Sequence, residues 1–277
     1  MSKKFQYSDF EKQKNKELNS LFSAWIKQLS KNTKSIKNGD KGKRTPTDCF
    51  AKDGFFPGYF DKKNLKVCFI GRETRRIGGL DFRDTTKDFF ESFLDDPDHK
   101  NIKENSWWRR ILRIVYGIKN NGEIKFEKLL EPMDILKKMY NSNKYGFATI
   151  NVSKYSNDHQ DQWESDKDLI NRFLKDSELN IRNYFDEELK ILDPDVIITA
   201  NLWESPIKKE YLNLCLPDEN FLSWKSLKDN VAAYGYYDLH GKKIMCINLY
   251  HFSAPGKTDK EYYYNPVMKI LFNQNKK

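Results

Sequence analysis

The stretch Lys66-Val-Cys-Phe-Ile-Gly71, followed by Arg72-Glu73-Thr74, holds four consecutive apolar residues with no polar position to mark a solvent-facing side. A strand of that kind is buried on both faces, as in a parallel sheet covered by helices. Three more such runs follow: Gly146-Phe-Ala-Thr-Ile-Asn151, Asp195-Val-Ile-Ile-Thr-Ala200 and Lys243-Ile-Met-Cys-Ile-Asn-Leu249. The spacing predicts helices over 86–94, 107–116, 126–140 and 167–192, with shorter pieces within 206–214 and 223–229. Strands alternating with helices imply right-handed crossovers and an α/β fold, with three α/β/α layers around a central, mainly parallel four-stranded sheet. The run 234–239, turning at His240-Gly241, reads as an antiparallel partner for the fourth strand.

The chain has 277 residues, 49 Lys+Arg against 40 Asp+Glu, and a formal charge of +9. Residues 1–50 hold 12 basic and 5 acidic residues, a net of +7, and the rest of the chain nets only +2. Leu18, Leu21, Phe22, Trp25 and Leu29 fall at helical steps of three and four, which predicts an amphipathic helix docked by that face. Residues 31–47, rich in Lys, Asn, Gly and Thr without periodicity, read as a mobile basic linker. The expected division is a basic N-terminal helix and linker over 1–48 and an α/β/α domain over 49–277. No run approaches the roughly 18 apolar residues of a membrane helix, and a soluble, cytoplasmic protein is expected. Cys49, Cys68, Cys215 and Cys246 are too scattered for a paired-Cys metal site. No metal and no cofactor is expected.

In a parallel sheet all strands end on one edge, so residues just after each strand converge however distant they are in sequence. Here these are Gly71-Arg72-Glu73-Thr74, Asn151, Asn201-Leu-Trp203 and Tyr250-His-Phe-Ser-Ala-Pro255. Nucleotide fingerprints fail: Gly71, Gly78 and Gly79 lack G-x-G-x-x-G spacing, and Gly256-Lys-Thr258 has His251 where a phosphate loop needs glycine. Neither a G-x-S-x-G nucleophile turn nor H-E-x-x-H is present.

What remains resembles the uracil-DNA glycosylase superfamily over roughly residues 50–272. Gly71-Arg-Glu-Thr-Arg75 stands where that family has a G-Q-D-P-Y or G-M-N-P-G motif, Ala148-Thr-Ile-Asn151 where its second strand ends in a base-reading Asn, and His251-Phe-Ser-Ala-Pro255 where it has H-P-S-P-L. Pro194-Asp-Val-Ile-Ile-Thr-Ala200 looks like its non-catalytic strand. The resemblance implies a monofunctional DNA N-glycosylase with DNA as partner. In that role Glu73 would direct water and face the sugar cation, and His251 would donate to the base O2. Asn151 would read the Watson–Crick edge, and Ser253 would hold a phosphate.

The sequence also departs from the family. Arg75 replaces the aromatic that excludes 5-substituted pyrimidines, and Pro255-Gly256 replaces the apolar wedge, leaving Phe252 or Tyr250 to serve. Phe82 is the nearest candidate for the stacking aromatic. Arg72, Arg75 and Arg76 cluster at the mouth, which extends the expected substrates to uracil or a 5-modified pyrimidine such as phage hydroxymethyl- or glucosylated cytosine, in anti-phage defence. Plainer roles stand beside these: Glu73 as a cap-region carboxylate, His251 as a packing histidine, Asn151 as a strand-end turn residue. Trp107-Trp108-Arg109-Arg110 suits a stacking surface or, on its apolar helix, core packing. His99 and His240 read as surface residues and His159 as a loop residue. Two other functions stay open: a catalytically silent nucleic-acid-binding module and a nucleoside or nucleotide hydrolase.

Overall fold

The structure, a computed structural model, describes residues 5–38, 42–63, 65–96, 101–142, 144–159, 164–204, 207–227 and 230–272. Helix α1 (Asp9–Asn32) starts at a capping box in which Ser8 accepts from the Glu11 N–H and the Glu11 carboxylate accepts from the Ser8 N–H at 2.8 Å. A hairpin of β1 (Ile36–Lys37) and β2 (Lys43–Arg44) and the one-turn α2 (Pro46–Cys49) lead to β3 (Gly54–Phe55) and β4 (Val67–Gly71). Helices α3 (Phe82–Asp95), α4 (Asn101–Glu104), α5 (Ser106–Lys119) and α6 (Pro132–Ser142) precede β5 (Ala148–Asn151). Then come α7 (Lys167–Asp176), α8 (Tyr184–Leu192), β6 (Val196–Ala200), α9 (Lys209–Cys215), β7 (Lys225–Ser226), β8 (Ala233–Leu239), β9 (Lys242–Leu249) and α10 (Asn265–Phe272).

The four apolar runs become β4, β5, β6 and β9, adjacent and mutually parallel in the order β5-β4-β6-β9. The sheet does not stop at four strands. Antiparallel β3 flanks β5, and β8 with β7 extends the other side, giving a mixed seven-stranded sheet of order β3-β5-β4-β6-β9-β8-β7. The hairpin of β8 and β9 turns at His240-Gly241, both at positive φ. Strand side chains alternate between two cores. Cys68, Ile70, Ile150 and Ile197 point into the layer of α1, α7, α8 and α9, whereas Val67, Phe69, Ile198 and Ile247 point into that of α3, α5, α6 and α10.

Three expected elements differ. The helix expected over 126–140 is split, because Pro132 lacks an N–H and disfavours helix at the residue before it; a 3-10 turn at Phe126–Lys128 precedes α6. The span 167–192 divides into α7 and α8 around Glu178 at positive φ, with Asn183 capping α8. Within 223–229 the described residues carry β7 rather than a helix, and 228–229 lie outside the described set.

The N-terminal segment is built into the body. Leu18, Phe22, Trp25 and Leu29 are fully buried, and the Trp25 indole N–H donates to Ser177 Oγ at 2.9 Å. The stretch expected to be a linker docks as well, through buried Asn38, whose Nδ2 donates to the Ser156 carbonyl at 2.8 Å, and through Arg44, 2.6 Å from Asp158. Its residues 39–41 lie outside the described set.

Candidate active site at the carboxyl edge of the sheet

Pairing between β4 and β5 continues past the strands. The N–H groups of Val152, Ser153 and Asn157 donate to the carbonyls of Gly71, Arg72 and Thr74 at 3.1, 2.9 and 2.8 Å, and the Arg76 N–H returns to the Asn157 carbonyl at 3.2 Å. The backbone on both sides of Glu73 is therefore tied to the backbone that follows Asn151.

Asn151 is buried, and its orientation is set from behind. Its backbone N–H donates to Asp53 Oδ2 at 2.7 Å, and its Nδ2 lies 3.5 Å from the same oxygen. A carboxylate only accepts, so the NH₂ side of the amide faces Asp53 and the oxygen lies over Gly71. Asp53 accepts from Lys154 Nζ at 2.7 Å, and Lys154 Nζ ion-pairs with Glu188 at 2.6 Å, all three fully buried. Burial works against the lysine's charge, but Asp53 and Glu188 carry its pKa above the ordinary value; burial and then Asp53 raise that of Glu188.

Glu73 is half-buried among polar groups. Burial raises its pKa above the usual carboxylate range, against the pull of Ser165, Arg72, Arg75 and Asn157. Arg72 spans the site, with Nη1 donating to Ser165 Oγ at 3.2 Å and Nη2 to the Asn201 carbonyl at 3.3 Å. Its buried Nε finds no acceptor among the described residues. Arg75 Nη2 donates to the His159 carbonyl at 3.5 Å, and the His159 ring lies 3.5 Å from Asp166.

His251 follows β9. Burial first, then the Arg72 and Arg110 charges, push its pKa down to about 4, so the ring is neutral at neutral pH. Its Nδ1 accepts from the Ser253 N–H at 3.2 Å, which leaves the proton on Nε2 as a donor. Trp107 joins the two halves of the edge. Its ring lies 5.4 Å from that of His251 and 5.2 Å from that of Phe252, and its Cη2 is 3.4 Å from where a Gly71 Cβ would stand.

Gly71, Arg72, Glu73, Asn151 and His251 thus gather at one edge with Arg75 at the rim, and Ser253 contributes a backbone N–H there while its side chain is exposed. Phe82 packs against Trp108 at 6.0 Å and lines a small cavity of about 20 Å³ with Phe56, Phe147 and Thr149. Trp108 is core, Trp107 half-buried. His240 pairs with Asp186 at the far turn, and His99 lies outside the described residues. Sequence reasoning missed Asp53, Lys154 and Ser165. Asp53 lies in a short connection with no periodic signal, and its partner Asn151 is 98 positions away.

A neutral imidazole donor, a half-buried carboxyl, a fixed amide and two guanidinium groups at one edge suit bond cleavage in which a leaving group gains negative charge. Among the described residues no group of three or more His, Cys, Asp or Glu is placed to hold a metal ion, and no helix is long and apolar enough to cross a membrane. No protein-family model matches the chain, and no curated protein matches it.

Proposed function

We propose that this chain is a DNA glycosylase of the uracil-DNA glycosylase type, with the parallel strands β5, β4, β6 and β9 serving as that family's central sheet. The observation that carries the reading is that a neutral His251 with a donor Nε2–H and the half-buried carboxyl of Glu73 follow β9 and β4 on one sheet edge, with the Arg72 charge acting on both.

Each step uses a named group. A pyrimidine flipped out of the helix stacks on Trp107 and presents its edge to the Asn151 amide. As the N-glycosidic bond breaks, its electron pair leaves with the base and the base O2 gains charge, which the His251 Nε2–H meets with a hydrogen bond. The sugar C1′ becomes cationic and faces Glu73. Water adds to C1′ and yields its proton to Glu73, whose raised pKa suits a general base working nearer neutrality. The products are the free base and an abasic site. No lysine is assigned to strand cleavage, since Lys154 is buried behind Asn151.

Arg75 beside Glu73, where a crowding aromatic would exclude a 5-substituent, favours uracil or a 5-modified pyrimidine, as a cytoplasmic anti-phage activity would require. DNA phosphates fit the basic hairpin of β1 and β2, which abuts the site loop through Asp158. The test is incubation with duplexes containing uracil, 5-hydroxymethylcytosine or glucosylated cytosine, followed by alkaline cleavage at abasic sites. Cleavage at the target base supports the reading, and no cleavage on any of these strands contradicts it.

A further inference from the structure

The turn that carries His251 has few apolar anchors of its own. Ser253, Pro255 and Gly256 are exposed, and Phe252 is its buried residue. What holds it is a side chain from α5. Arg110, 4% exposed, donates through Nη1 to the Phe252 carbonyl, to Ala254 O at 3.4 Å and to Tyr263 Oη at 3.0 Å, and through Nη2 to Lys257 O at 2.6 Å. Its Nε donates to Asp259 Oδ1 at 2.9 Å, so every edge of the guanidinium is used. Tyr263 lies in a π-helical turn, Lys260–Tyr264, with its ring 4.1 Å from the Arg110 guanidinium carbon and its hydroxyl donating to the His251 carbonyl at 2.8 Å. Carbonyls from residues 251, 252, 254 and 257 are thereby fixed by one arginine and the tyrosine stacked on it. A planar five-donor fork can do this, and an ammonium cannot.

We propose that Arg110 is the positioning residue for His251: by holding the 251–257 turn it keeps the Ser253 N–H on Nδ1 and so keeps the ring proton on Nε2, aimed into the site. This rests on reading His251 as the donor to the leaving base. Arg110 makes its hydrogen bonds to the turn, to Tyr263 and to Asp259, and none to the His251 ring. It acts through the turn, and the Nδ1 hydrogen bond at 3.2 Å is the point at which a loosened turn is felt first. Asp259 keeps Arg109 at 2.7 Å and Arg113 at 2.9 Å when Arg110 is removed, so no buried carboxylate is stranded by the change.

The test is ¹⁵N NMR of the histidine ring nitrogens in the full-length protein at neutral pH, with the His251 signals assigned by their absence in His251→Gln. Wild type is expected to show a single neutral form protonated at Nε2. Arg110→Ala and Arg110→Lys are both expected to lose it to a mixture of tautomers, and adding methylguanidinium to Arg110→Ala to restore it. Base release by both variants is expected to fall by about 10²-fold in kcat with little change in KM. Retention of the wild-type ring signature by either variant overturns the proposal. The ring signature is independent of turnover, so a wild type inactive on every DNA defeats the glycosylase reading while the spectra still decide the role of Arg110.

Discussion

The side-chain oxygen of Asn151 lies directly over the backbone of Gly71: a methyl group built on that glycine would meet Oδ1 at 2.5 Å. Gly71 is needed here for the space its missing Cβ leaves, since its pairing partner in β5 is Asn151 itself. The Asn151 amide cannot retreat, because Asp53 holds its other side. Gly71→Ala is therefore expected to displace the amide at a stability cost of about 1–3 kcal/mol. The larger effect should be on catalysis, about 10²-fold in kcat/KM, since small misplacements are costly in a site. Melting curves alongside single-turnover rates check this, and a variant as active as wild type would show that Asn151 has no part in the reaction.

The pH dependence follows from Glu73 and His251. Glu73 must be ionised to accept a proton, and burial places its pKa above the usual carboxylate range. The rate should therefore rise as pH rises through that pKa, and this limb should be missing from the residual activity of Glu73→Gln. His251, held down to about 4 in the folded chain, disfavours protonation on folding. Its contribution to stability is present above the unfolded value near 6.5 and is lost as pH falls from there toward about 4, to an extent of no more than about 3 kcal/mol. Denaturant midpoints at pH 7 and pH 4.5 should differ less for His251→Gln than for wild type.

Lys154 sits fully buried between Asp53 and Glu188, with the Trp25 ring 5.6 Å from its Nζ. Lys154→Met removes the only positive partner the structure gives either carboxylate within this buried cluster of described residues. A destabilisation of about 3–5 kcal/mol is expected, as for other buried pairs broken from one side. Thermal unfolding measures it, and a change under about 1 kcal/mol would mean that the cluster is reorganised rather than ionic.

The basic hairpin is exposed at Lys37 and Lys43 while anchored through Asn38 and Arg44. Lys37→Gln with Lys43→Gln should weaken DNA binding without unfolding the chain. The slope of log K against log salt should drop by about 0.9 for each phosphate that is no longer neutralised. An unchanged slope would place the phosphate grip elsewhere. Truncating residues 1–45 is a poor substitute for this test, because Leu18, Phe22, Trp25 and Leu29 are core.

The four central strands were legible because burial on both faces writes an unbroken apolar run, as in Val67–Gly71. The pairing of β8 with β9 was legible from its turn. β3 and β7 were not, since each spans two residues, too short for any period to register. The gathering of Gly71, Glu73, Asn151 and His251 at one edge follows from topology alone. What supports them does not: Asp53 behind Asn151 and Arg110 behind His251 act across 98 and more than 140 positions, and nothing local marks either. Trp107 and Trp108 are neighbours in sequence with opposite fates, because successive residues on a helix face directions about 100° apart.

The proposed reaction has Glu73 and His251 together break an N-glycosidic bond in DNA. Its most direct test is chromatographic and mass-spectrometric detection of the free base released in a single turnover from duplexes carrying uracil, 5-hydroxymethylcytosine or glucosylated cytosine. Wild type should release one of these bases and leave an abasic strand, and Glu73→Gln, still folded and still binding that DNA, should be slower by about 10²-fold or more. No free base from any of the three, or an equal rate from Glu73→Gln, would rule out this role for Glu73 and His251.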